Sequence, residues 1–303
     1  MTILTNTIRS GPGTVFYCER CKLGNLEEII PTKKQDFYDT EYRKKFGPEL
    51  NKTSEYSEIF DAYVNFQEQR VAAVLPLLDK NSRLLEVGCS TGHFLYKIKN
   101  HVKEVIGVDY DSDAAAYASK RCNCITYGMD LLVTPLEEES FDIICAIQTL
   151  EHVEDPLSFI FMLKRYLKRD GWLYIEVPNL LDPLLSLYNN KEYHDFFFHE
   201  AHAYYFSPES LMTLMKKASL QGKIHYMQDY NIMNHIHWQL THRPQPDCYA
   251  GLGVARLPSL VTSDHRIKKE LDEFMANADQ QYKSILASHG YTDNMAFIGK
   301  KGN

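Results

Sequence analysis

Leu84-Leu85-Glu86-Val87-Gly88-Cys89-Ser90-Thr91-Gly92-His93-Phe94 is the stretch whose reading decides the fold. A short apolar run over residues 83–87 ends in a glycine, and residues 91–100 have helical spacing, so the segment predicts a strand, a sharp turn and a helix. Two glycines and a small serine in the turn allow the backbone to bend tightly and to approach a ligand closely. The unit then repeats. Apolar runs at 105–108, 124–127, 142–147 and 172–177 predict further strands, and 111–120 and 156–167 predict helices between them. Strands that are apolar on both faces and alternate with helices form a parallel sheet covered on both sides. With later strands near 223–227 and 295–299, the prediction is a doubly wound α/β sheet of seven strands.

Working outward, residues 56–78 carry apolar side chains at helical spacing (Ile59, Tyr63, Phe66, Val71, Val74, Leu77, Leu78) and predict one long amphipathic helix leading into the core. Residues 1–55 are polar and read as an irregular N-terminal appendage, with Gly11, Pro12 and Gly13 together, then Cys18 and Cys21, then aromatic residues around 37–42. After Pro178 the alternation breaks, and residues 179–206 read as a substrate lid within a core spanning 56–235. A helix over 208–218, capped by Ser207, follows. Residues 236–303 hold an insertion, with a Pro- and Gly-bearing segment over 243–258 and a charged helix over 266–287, before the last strand.

Composition sets limits on function. Lys and Arg number 33 against 40 Asp and Glu, giving net charge −7 with no basic patch, so a nucleic-acid partner is not expected. No apolar run approaches the ~20 residues a membrane span needs, and the first residues lack a signal-peptide pattern, so the expected location is the cytoplasm. Seven cysteines, with Cys89 and Cys145 in apolar runs, read as reduced thiols.

The loop is not the Gly-x-Gly-x-x-Gly fingerprint of nicotinamide-binding domains. Ser90 replaces the second glycine, and Glu86 stands where a carboxylate would repel a pyrophosphate but suit a cationic ligand. About twenty residues on, Asp109 closes the second strand, where a carboxylate can accept two hydrogen bonds from ribose hydroxyls. Gly128-Met129-Asp130-Leu131, Gln148-Thr149-Leu150-Glu151-His152-Val153-Glu154-Asp155-Pro156 and Asp170-Gly171 follow in order. Over residues 56–227 this ordered set closely resembles class I S-adenosylmethionine-dependent methyltransferases, which have a Rossmann-like sheet. The resemblance implies that Glu86, Gly88, Ser90 and Gly92 surround the methionine half of the cofactor. It also implies that Asp109 and Tyr110 meet the ribose side, Met129 and Asp130 the adenine, and that Gln148 lies beside the cofactor. Glu151, His152 and Pro156 read as helix-entry and packing residues.

Residues 193–207 hold three histidines, two carboxylates and three tyrosines, a supply of acid–base groups for chemistry near neutral pH. The run His202-Ala203-Tyr204-Tyr205-Phe206-Ser207 is similar to a segment of methyltransferases that modify nucleotide-linked deoxysugars at carbon. The similarity implies His202 as general base, with His199 second and Glu200 beside them. Cys18-Glu-Arg-Cys21 resembles half of the four-cysteine zinc module of those enzymes, but no second pair precedes Cys89, so no metal site is expected. A divalent ion on His199, Glu200 and His202 is an alternative. The expected function is methyl transfer to oxygen or carbon of a sugar, nucleotide-linked sugar or glycan in bacterial carbohydrate biosynthesis. A methyltransferase of another small metabolite, a non-catalytic S-adenosylmethionine-binding partner protein and a nicotinamide-dependent sugar oxidoreductase are the alternatives.

Overall fold

A computed structural model describes residues 1–27, 48–49, 53–257 and 264–302 of the chain. The aromatic stretch at 37–42 lies outside the described residues. Strands β1 (Thr2–Ile8), β2 (Gly11–Cys18) and β3 (Leu23–Leu26) come first, then helices α1 (Tyr56–Tyr63) and α2 (Glu68–Val74). The alternating core follows as β4 (Arg83–Val87), α3 (His93–Ile98), β5 (Glu104–Asp109), α4 (Ser112–Cys122), β6 (Ile125–Gly128) and β7 (Phe141–Ile147). It continues with α5 (Pro156–Tyr166), β8 (Leu167–Pro178), α6 (Pro183–Ser186), α7 (Lys191–Phe197), β9 (Tyr204–Phe206) and α8 (Pro208–Lys217). Strand β10 (Leu220–Met227), α9 (Ile232–Thr241), α10 (Tyr249–Leu252), α11 (His265–His289) and β11 (Asn294–Lys301) complete the order.

Seven strands form one sheet in the order β10-β11-β8-β7-β4-β5-β6. The pairings β4 with β5, β4 with β7, β5 with β6 and β7 with β8 are parallel, and β11 runs antiparallel to both β8 and β10. Side chains on β4 alternate between the faces, as a pleated strand requires. Leu85 and Val87 join the layer that contains Ile144, Leu163 and Leu173, whereas Leu84 joins Phe94, Leu95, Ile143 and Tyr174 on the other side. Burial on both faces explains the unbroken apolar runs. Asp111 caps α4 by accepting from Ala114 N, and Asp155 caps α5 through Leu157 N and Ser158 N, with Pro156 at the first helical position. Among the described residues, no helix is long and apolar enough to cross a membrane.

Two sequence expectations change. The single helix over 56–78 is instead α1 and α2 separated by a 3-10 turn, Val64–Phe66. Gln67, at φ −101° and ψ 0°, turns its side chain back to donate to Tyr63 O at 2.9 Å, and the helix restarts after it. The N-terminal residues are not irregular either. Ile8 pairs with Gly11 across a two-residue turn, Gly11 holding φ +127°, and β1, β2 and β3 form an antiparallel sheet completed by β9. Side chains of Ile8, Val15, Leu26, Phe198 and Tyr205 make its core. This sheet is anchored to the large one at β9, because Leu180 N donates to Phe206 O at 2.8 Å and Asn179 N to Asp293 O at 2.9 Å.

Phe198 is the centre of that anchor, 1% exposed and packed edge-on against Tyr205 at 4.7 Å between ring centroids. Phe198→Ala is expected to cost about 3–5 kcal/mol, the range for truncating a buried aromatic side chain. Urea unfolding measures it. A loss under about 1 kcal/mol would mean that the small sheet melts independently of the large one.

Candidate active site

The turn after β4 is built from backbone that turns left-handed. Gly88 has φ +80°, and a Cβ there would lie 2.2 Å from Thr149 Oγ1, so only glycine fits. Ser90 has φ +48°, a left-handed conformation a small side chain tolerates at modest cost, which accounts for serine where the family pattern has glycine. Its N–H donates to Asp109 Oδ2 at 2.7 Å, and Asp111 N donates to Asp109 Oδ1 at 2.9 Å. Asp109 therefore ties the loop to the end of β5.

A cavity of about 680 Å³ opens at this end of the sheet. Glu86, Gly88, Ser90, Asp109, Tyr110, Met129, Asp130 and Gln148 all line it. Gly92 does not; it enters α3, with φ +81° and Cys122 Sγ and Ala118 Cβ beside it. Tyr110 Oη donates to Asp130 Oδ2 at 2.8 Å, and Leu132 N donates to Asp130 Oδ1, so these two side chains are set as a unit. Burial and then the Asp130 bond push the Tyr110 phenol upward. At another part of the wall Gln148 donates to Glu176 and to Asn294 Oδ1 at 2.8 Å, and Arg70 bridges Glu176 and Asp229. The broken helix brings Tyr63, Phe66, Gln67 and Arg70 to the same cavity.

Glu86 is 2% exposed, and its Oε2 has no hydrogen-bond partner among the described residues. Burial first, and the negative charge of Asp109 second, hold its carboxyl well above the usual carboxylate range. A cation close by would relieve that penalty. The orphaned oxygen, the glycine cradle and the strand-end Asp109 together fit a cofactor that carries a sulfonium and a ribose.

None of the residues 179–206 lines the cavity, so His199, Glu200 and His202 stand behind its wall. His152 does line it. Its Nδ1 lies 2.6 Å from Ala201 O; a carbonyl can only accept, so Nδ1 carries the proton and Nε2 presents a lone pair. His152 Nε2 lies 3.8 Å from Glu151 Oε1, and His202 Nε2 lies 3.9 Å from the same oxygen. His202 packs edge-on against His152 and tilted against His199, with centroids 4.8 and 3.8 Å apart. Glu151 is 1% exposed, and neither of its carboxylate oxygens has a hydrogen-bond partner among the described residues. Burial pushes Glu151 up to about 8 and His152 down to about 4. Burial, then the neighbouring histidines and Arg9, hold His202 well below the usual histidine range.

His202 and His199 are thus brought together, but with Glu151 and His152 rather than at the cavity wall themselves. Among the described residues, the ligand atoms of His199, Glu200 and His202 do not form a metal-sized group, whereas those of Glu151, His152 and His202 do. Pro156 is a helix-entry residue as read from the sequence. His152, read from the sequence as a packing residue, lines the cavity from the 3-10 turn Leu150–His152 that follows β7, at the strand ends where α/β sheets bind ligands.

Fold and site together define an S-adenosylmethionine-binding methyltransferase domain of the doubly wound α/β class. Residues 60–222 match the family described as "Methyltransferase domain", and the chain belongs to that family. A protein of Mycobacterium tuberculosis named a probable S-adenosylmethionine-dependent methyltransferase is 32% identical over 97 residues, covering 32% of this chain and 35% of its own length. The chain thus spans about a third of that relative. A ubiquinone biosynthesis O-methyltransferase of Actinobacillus pleuropneumoniae is 31% identical over 107 residues, covering 32% of this chain and 46% of its own. The fold is shared with a SAM-dependent methyltransferase of Archaeoglobus fulgidus, with TM-score 0.53, 17% identity, and coverage of 81% of this chain and 98% of that one.

Two outcomes are expected. Asp109→Ala should weaken S-adenosylmethionine binding by roughly 2–4 kcal/mol in calorimetry, because a carboxylate that would accept from the ribose and that holds the loop is lost. An unchanged dissociation constant would remove the assignment. The second outcome concerns stability. A carboxyl raised to about 8 in the fold from an ordinary 4.5 binds more protons folded than unfolded, so between those values it makes stability fall as pH rises. Glu151→Gln should therefore raise the melting temperature of the metal-free protein at pH 8 more than at pH 5. An equal shift at both pH values would show Glu151 ionised throughout.

Proposed function

We propose that the chain is a methyltransferase that moves the methyl group of S-adenosylmethionine to a small polyhydroxyl acceptor of the sugar class. The observation that carries this reading is a single cavity lined both by the cofactor residues and by His152, the outermost member of a buried Glu151, His152 and His202 cluster. Arg70, Asp229, Gln148 and Asn294 add a polar wall able to hydrogen-bond several hydroxyls. The partial likeness of residues 202–207 to sugar methyltransferases supports the acceptor class, and the ubiquinone relative supports oxygen as the atom methylated.

In this reading the bound cofactor supplies the methyl group on its sulfonium. Glu86 faces the positive charge, Asp109 holds the ribose, and the Tyr110 and Asp130 pair borders the adenine. The rest is positioning and proton removal. His152 Nε2, unprotonated at neutral pH, presents its lone pair to the acceptor hydroxyl. His202 packs on His152 and, on its other side, against His199.

His152→Ala and His202→Ala are each expected to lower turnover by roughly 10²–10⁴-fold. S-adenosylmethionine affinity should stay near wild type. Mass spectrometry of products from a panel of free and nucleotide-linked sugars, with parallel calorimetry of the cofactor, reads both. Full turnover in both variants would move the proton acceptor elsewhere. Methyl transfer only to non-sugar acceptors would replace the substrate class.

A further inference from the structure

We propose that Glu151, His152 and His202 bind one divalent transition-metal ion at the wall of the cavity. The three donate ligand atoms that all lie within 4.8 Å of one another. The separations from Glu151 Oε1, 3.8 Å to His152 and 3.9 Å to His202, are too long for a hydrogen bond. They are close to the spacing of two ligands on one ion, since bonds of about 2.1 Å in a tetrahedron put donor atoms about 3.4 Å apart.

The second observation is the carboxylate itself. Glu151 is 1% exposed, and both of its oxygens are without a hydrogen bond among the described residues, which is unusual for a buried carboxylate. His202 Nδ1 is likewise without a partner there. The backbone holds the set rigidly. His152 N donates to Thr149 O at 3.1 Å, Ala203 N to Glu151 O at 2.8 Å and His202 N to His199 O at 3.2 Å. His152 already has the outer-shell bond expected of a ligating imidazole, its Nδ1–H donated to Ala201 O, which aims Nε2 inward.

Two imidazoles and one carboxylate suit zinc, iron(II) or manganese(II), and three protein ligands leave a coordination position open. Of the three, His152 lines the cavity, so the ion would sit at its wall. What occupies the open position rests on the reading given above: an acceptor hydroxyl bound there would be held in place and made more acidic by the ion, its proton passing to solvent through the cavity, because His152 Nε2 would then be a ligand. The ion site itself does not depend on that reading.

The test uses the full chain with Cys18→Ser and Cys21→Ser, which removes this thiol pair as a competing ligand set. Metal-free protein is titrated with Co²⁺, followed by its visible absorption, and then with Zn²⁺. The expected result is one Co²⁺ per chain, displaced by Zn²⁺, with Glu151→Gln and His202→Gln each weakening binding by about tenfold or more while circular dichroism is unchanged. No saturable uptake, or uptake untouched by both substitutions, overturns the site. Methyl transfer measured alongside separates the two readings. Transfer that persists without any metal uptake overturns the ion site and leaves the methyl-transfer reading standing. Stoichiometric uptake without transfer to any acceptor supports the ion site and removes the catalytic reading.

Discussion

The hydrogen bond from Ser90 N–H to the Asp109 carboxylate holds the site together. It joins the turn after β4 to the end of β5, the two central strand ends of the parallel sheet. With Gly88 N and Cys89 N both donating to Val108 O, the left-handed turn cannot relax without breaking contacts on three successive residues. The cavity owes its shape to this turn. Thr149, filling the space a side chain at Gly88 would need, donates back to Val87 O and Ile147 O, so β7 is fastened to the same point.

The sheet was legible in the sequence because its strands are buried on both faces. Runs such as residues 84–87 and 143–147 leave no polar face to confuse the reading. The residues that line the cavity were legible for a related reason: turn, carboxylate and spacing are local features. The N-terminal sheet was not. Its strands face solvent on one side, and its fourth strand comes from residues 204–206, a pairing no local pattern announces. Helix α1 failed to continue into α2 because Gln67 bonds backward to the chain, a choice periodicity does not record. The place of His152 on the cavity wall was not legible because it sits in a 3-10 turn flanked by good helix-entry signals, and the residue it packs on, His202, is fifty residues away.

Burial makes the cluster behind His152 costly. Glu151 resists ionisation and the histidines resist protonation, so at neutral pH the group is assembled from neutral side chains. Charge brought to it, whether a proton or a cation, meets an environment already short of polar partners. Arg70, Glu176 and Asp229 on another part of the wall are arranged in the opposite way, charged and mutually paired. The two parts of the cavity therefore differ in polarity.

Strand β9 belongs to the small sheet and also holds the cluster, through Ala203 N on Glu151 O and Leu26 N on Ala203 O. Its pairing partner, Asn25, lies far upstream of Tyr204 in the chain. Closing so long a loop carries an entropic cost that short-range contacts do not bear, and it slows the step that depends on it. During synthesis β1, β2 and β3 can pair with one another at once, but the edge of β3 stays open until the residue 204 region has emerged. The Rossmann-like core and its cofactor loop, built from neighbouring strands, can form earlier. The histidine cluster, which needs Ala203 beside Glu151, can therefore take shape only after the cofactor loop and its neighbouring strands have emerged.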